Sequence, residues 1–207
     1  MLLELFSVII MFFCSMVIHE YAHGWVACRL GDPTAKEAGR LTLNPLKHID
    51  PLGTIILPGV LMLLNYLGMN LFVFGWAKPV PVNFFRLNNP RRDIIWVGLA
   101  GPVANVMFAA GLLAIRKFFP MGMAQDGLGI FVIINLGFAA FNMVPIPPLD
   151  GSRVVLGLLP KAIALQYARL ERYGIIIIII LLYLGLMNRI VWPFVELLAK
   201  ILNVNLT

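Results

Sequence analysis

Residues 19–23 read His-Glu-Tyr-Ala-His, a spacing that suits metal-assisted hydrolysis. On a helix, positions i and i+4 share a face, so His19 and His23 can offer two imidazoles to one cation. Glu20 then lies close enough to a water activated by that cation to take its proton. A structural polar cluster is the poorer explanation, because the pentapeptide falls inside an apolar run. A charged group at a membrane helix centre costs about 2.5–3.5 kcal/mol on insertion scales. Function is the better reason for it to be there.

Two histidines leave a catalytic zinc site incomplete, since such sites combine three protein ligands with an open position. The candidates for the third are Asp150, His48 and Asp50. Asp32, Glu37 and Asp93 stand among loop charges, where solvation is the expected role. Asp150 is the best placed. It closes the stretch Asn142-Met143-Val144-Pro145-Ile146-Pro147-Pro148-Leu149-Asp150-Gly151, where prolines unwind the end of an apolar run and Gly151 permits close backbone approach. His48 could equally be an interface residue with a backbone partner.

The elements that must position these groups follow from composition. The chain has 207 residues, 60% hydrophobic and 13% charged, with mean hydropathy +0.90. Soluble domains carry about 25% charge, so a soluble globular, disordered or nucleic-acid-binding chain is excluded and a lipid bilayer is the expected environment. The net charge of +6 comes from basic residues scattered between apolar runs, which suits loops beside anionic lipid. A membrane-crossing helix needs about 20 apolar residues. Leu5–Cys28, Ile94–Ile115 and Gly127–Leu149 meet that need, and Gly174–Met187, with six isoleucines in a row, is expected to be a fourth span. The first run has no basic segment before it and contains ionisable groups, so it is expected to be retained rather than cleaved as a signal peptide.

Residues 52–74 are apolar but carry Pro58, Gly59, Asn65 and Gly68, which suit a bend. If this stretch dips in and returns, twelve of the 16 basic residues share one side, which the positive-inside rule places in the cytoplasm. A re-entrant hairpin or two short helices is therefore expected over 52–74. Non-helical backbone at membrane depth must be shielded or line a wet cavity. The same even crossing number brings Asp150 to the end of the membrane from which His19 and His23 lie about 8–14 Å inward. Charge and metal geometry thus require one topology. The expected fold is an all-α polytopic membrane protein of about four transmembrane helices plus that hairpin.

Alternation over Gly39–Pro45 and the prolines of Pro79–Asn83 predict short extended or β segments near the site. Asn105 and Asn135, inside charge-free runs, are expected to be helix-packing partners, and Gly98, Gly101, Ala104 and Ala109 suit close helix contact. Cys14 and Cys28 form no metal knuckle or disulfide framework and are read as packing residues.

The motifs His19-Glu20-x-x-His23 and Asn142-x-x-Pro145-x-x-x-Leu149-Asp150-Gly151 resemble the signatures of the site-2 proteases, zinc metalloproteases that cut within or beside the membrane. Gly31–Ala35, Leu41–Pro45, Gly75–Asn83 and Ala100–Asn105 resemble that family's compact prokaryotic branch, with no PDZ or CBS insertion. The resemblance implies a single membrane-embedded metalloprotease domain over 1–207 in a prokaryotic plasma membrane, its active site toward the cytoplasmic side. It implies one Zn2+ per chain on His19, His23 and Asp150, Glu20 as general base, and Asn142 beside the site, orienting substrate or stabilising an oxyanion. It also implies transmembrane protein substrates, whose strand would lie against an extended edge for which Leu41, Leu43, Val80 and Asn83 are the candidates. The rival reading is a non-enzymatic metal protein or a transporter, for which Glu20 would have no use.

Overall fold

The computed structural model describes residues 2–69, 71, 73, 75–118 and 122–204. Its elements are α1 (Leu2–Arg29), α2 (Thr34–Glu37), a 3-10 turn (Pro45–His48), a π-helical turn (Pro51–Ile56) leading into α3 (Leu57–Tyr66), and a 3-10 turn (Phe84–Arg86). There follow α4 (Pro90–Arg116), α5 (Met123–Asn142), α6 (Asp150–Leu158), α7 (Lys161–Ala168), α8 (Glu171–Tyr183) and α9 (Leu186–Ile201).

Helix α4 is the central element, packed against α1, α5 and α6. Small side chains make this possible. A Cβ on Gly98 would stand 3.0 Å from the Asp150 carbonyl oxygen, and one on Gly157 would strike Ile95. Lower on the same helix, Ala109 and Leu112 join Val132, Leu136 and Ala140 of α5 and Val195 and Ala199 of α9 in the main apolar core. Many large apolar residues, among them Ile9, Phe12, Met107, Ile175 and Ile179, instead point outward. An exposed apolar surface of this extent belongs in lipid.

Among the described residues, two helices are long and apolar enough to cross a membrane, Ser7–Arg29 within α1 and Pro90–Arg116. The pair α8 and α9 would count as a third span only if taken together, and it is bent by 87°. The described residues thus give two or three candidate spans where the sequence predicts about four. The third predicted run stops early, since α5 ends at Asn142 and the prolines from Pro145 onward cannot supply the donors a helix needs. The fourth is broken at Gly185, whose φ of 67° lies in the left-handed region that glycine tolerates.

The stretch 52–74 goes out and comes back, apart from residues 70, 72 and 74, which lie outside the described residues. It is one helical arm and one irregular return rather than two short helices. The Trp76 N–H donates to the Gly53 carbonyl at 3.1 Å, and the Lys78 N–H to the His48 carbonyl at 3.0 Å, so the two ends of the excursion meet. Gly53 lets Trp76 lie against the arm, because a Cβ there would overlap the indole.

Among the described residues no β-strand forms, which corrects the β pairing predicted near the site. The reason lies in where the donors go. Thr42 N–H turns back to the Arg40 carbonyl at 3.0 Å. Pro79 and Pro81 have no N–H to offer a ladder, while those of Val80 and Asn83 are taken by the carboxylates of Glu20 and Asp32.

Candidate metal centre

His19 and His23 project from one face of α1 and are both buried. The His19 Nδ1–H donates to Asn105 Oδ1 at 2.7 Å, and the His23 Nδ1–H donates to the Val97 carbonyl at 2.7 Å. Because both acceptors are carbonyl oxygens, the proton of each neutral ring sits on Nδ1 and leaves a lone pair on Nε2. Those lone pairs converge. The two Nε2 atoms are 3.0 Å apart, and Asp150 Oδ2 lies 2.9 Å from that of His19 and 3.2 Å from that of His23.

Three electron-pair donors in such proximity repel unless a cation or a proton lies between them. Tetrahedral zinc with bonds of about 2.0–2.1 Å has a ligand–ligand edge of about 3.3 Å, and the observed separations fall close to it. Two neutral imidazoles, one carboxylate, second-sphere acceptors on both Nδ1–H groups and burial together fit Zn2+.

Each ligand is placed by close backbone contact. A Cβ on Gly101 of α4 would overlap the imidazoles of both His19 and His23, so the rings can turn toward Asp150 only because that residue is glycine. Asp150 opens α6, where the positive end of the helix dipole favours a carboxylate. The loop before it folds tightly, since a Cβ on Gly151 would overlap the Met143 carbonyl. Tyr167 of α7 donates from its hydroxyl to the Pro145 carbonyl at 2.7 Å. Burial pushes the phenol's pKa up, against the opposing charge effect of Arg153.

Glu20 and the metal group share a cavity of about 270 Å³ that also includes Val80, Asn142 and Arg153. Glu20 Oε2 accepts the Val80 N–H at 2.7 Å. The Asn142 amide donates to the Phe138 carbonyl at 2.9 Å, which holds its side chain at the cavity wall. Arg153 forms an ion pair with Glu171 at 2.7 Å and lies over the Phe84 ring at 5.4 Å.

Of the three candidates for the third ligand, only Asp150 joins the histidines. His48 is buried, with its Nε2–H donated to the Thr42 carbonyl at 2.9 Å, and Asp50 caps the π-helical turn through the Gly53 N–H at 2.7 Å. Of the four strand-contact candidates, only Val80 lines the cavity. Leu41 lies beside Gly24 and Leu43 is exposed. Asn83 does not line the cavity; its N–H is donated to Asp32 Oδ2 at 2.6 Å and its side-chain oxygen accepts the Phe85 N–H at 3.1 Å.

Asn105 carries more than the packing role its sequence context predicts. Its amide donates at 3.0 Å to both the Ser15 carbonyl and Asn135 Oδ1, while its own oxygen orients His19. A buried amide within a charge-free span, on the same helix as Gly101, was the signal available. Arg153 gave none beyond its closeness to Asp150.

The chain is 37% identical over 192 residues to "Putative zinc metalloprotease YwhC" of Bacillus subtilis, covering 88% of this chain and 82% of that protein. It is 30% identical over 183 residues to "Putative zinc metalloprotease Rip2" of Mycolicibacterium smegmatis, covering 87% of this chain and 67% of that one. It is 23% identical over 153 residues to "Zinc metalloprotease MJ0392" of Methanocaldococcus jannaschii, covering 73% of this chain and 34% of that one. No family model matches the chain, and no solved structure does.

Proposed function

The chain belongs to the site-2 protease family of zinc metalloproteases, and from that premise we propose that it hydrolyses peptide bonds of transmembrane protein substrates at the membrane. The observation that carries this reading is the convergence of His19, His23 and Asp150 in one cavity with Glu20, inside a bundle whose outer surface is apolar.

In this reading His19, His23 and Asp150 hold the zinc. When bound, zinc would supply Lewis acidity, lowering the pKa of its water to about 7 and polarising a carbonyl. Glu20 is the general base. One of its oxygens is occupied by the Val80 N–H, and the other is free to take the proton of the attacking water and pass it to the leaving nitrogen. Asn142 stands at the cavity wall, where it orients the substrate or donates to a developing oxyanion. Val80 and its neighbours form the wall along which a locally unwound substrate segment lies. A substrate helix hides its carbonyls in i to i−4 bonds, so cleavage requires that unwinding.

The hairpin, whose two ends meet at His48 and Lys78, supports the sidedness drawn from the twelve basic residues. The proposed location is a prokaryotic plasma membrane with the cavity toward the cytoplasm, the whole chain acting as one membrane-embedded domain.

Glu20→Gln is the deciding variant. It is expected to retain zinc and to stop cleavage of a model transmembrane substrate in detergent. Cleavage at the wild-type rate would overturn the protease mechanism and favour a metal-binding role.

A further inference from the structure

Glu20 lies on α1, and the group that holds it comes from a segment 60 positions away. We propose that the main-chain N–H of Val80 is a positioning group for Glu20, one that fixes the carboxylate so that a single oxygen faces the reaction. The proposal rests on the protease reading and adds to it a residue that acts through its backbone.

A glutamate side chain has several rotatable bonds, and one bond from a fixed donor removes much of that freedom. Here the donor is itself fixed. The segment around Val80 is tethered at Lys78, whose N–H donates to the His48 carbonyl at 3.0 Å and whose carbonyl accepts from Arg40 at 2.8 Å. It is tethered again at Asn83, whose N–H donates to the buried Asp32 carboxylate at 2.6 Å. Pro79 and Pro81 restrict the backbone on either side.

A second observation points the same way. Gly24 follows Glu20 by one helical turn, so the two share a face of α1. A Cβ on Gly24 would stand 2.8 Å from Val80 Cγ1. The helix surface is cut away where the segment must lie for its N–H to reach Glu20, and Val80 is buried against it.

The experiment measures zinc content, kcat and KM of the full chain in detergent with a model transmembrane substrate. Val80→Pro removes the donor and is expected to lower kcat on the order of 10- to 100-fold, with zinc content retained and KM raised by loss of the side chain. Val80→Ala keeps the donor and trims the side chain, so KM is expected to rise and kcat to fall much less than in Val80→Pro. Replacing Val80 by its α-hydroxy acid, which turns the amide into an ester, removes the N–H but keeps the side chain, and is expected to match Val80→Pro in kcat with KM retained. The ester decides the matter where the proline variant does not fold. A fully zinc-loaded ester variant with wild-type kcat overturns the proposal, as does an equal loss of kcat in Val80→Ala. Wild-type protein that binds zinc but cleaves no substrate defeats the protease reading itself, a result distinct from either.

Discussion

Asn105 Oδ1 lies 2.7 Å from Nδ1 of His19, 86 positions away in the chain. Through this contact the middle of α4 sets the tautomer and the ring plane of a candidate metal ligand on α1. The same amide is bonded to the Ser15 carbonyl and to Asn135 of α5, so its position depends on three helices at once.

Removing this acceptor should weaken the metal site without touching a ligand. Asn105→Leu is expected to reduce zinc affinity by about 10- to 100-fold, the usual cost of losing a second-sphere partner. Asn105→Asp keeps an oxygen for His19 and should retain most of the affinity. Competition with a chromophoric chelator in detergent reads both. Equal affinity in wild type and Asn105→Leu would show that His19 needs no orienting partner.

Gly101→Ala should abolish stoichiometric zinc, because the added Cβ occupies space held by both imidazoles. Gly111→Ala, on the same helix, meets no atom within 4 Å and should leave zinc content unchanged. Elemental analysis of the two purified proteins gives the answer.

Chelation should destabilise the fold. At free zinc about a thousand times its Kd, occupancy of one site stabilises the folded state by about 4 kcal/mol. Without the ion, three electron-pair donors within 3.2 Å must separate or take up protons. Tm is expected to fall on adding chelator, to recover on adding zinc, and to show no such response in Asp150→Ala. An unchanged wild-type Tm would mean that the triad holds no ion.

The return of the chain to His48 at Lys78 predicts one side for the loops. Single cysteines introduced at Lys36, Lys78 and Lys161, in a background lacking Cys14 and Cys28, should all react with an impermeant thiol reagent from the cytoplasmic face. Labelling of the Lys78 site from the opposite face would remove the hairpin and the placement of Asp150 that depends on it.

Some of this was legible from residue order because the physics is local. A pair of histidines one helical turn apart shares a face whatever surrounds the helix, and a composition so rich in apolar residues points to a bilayer whatever the fold. The choice of Asp150 was legible as well, through the prolines that end α5 and the glycine that follows. Span count was less so. Hydropathy reads apolar length, but it did not mark the end of α5 at Asn142 or the turn at Gly185 as ends of helices.

Residue order alone determined the pair of imidazoles and the membrane around them, and made Asp150 the best placed of three candidates for the third donor. The tertiary structure decided that Asn105 orients His19, that Gly101 makes room for the rings, and that the donors near Val80 serve carboxylates rather than a sheet. Those relationships join residues far apart in sequence, and they depend on how closely α1, α4 and α6 approach. That approach is set by the packing of the whole bundle, and no local period in the sequence encodes it.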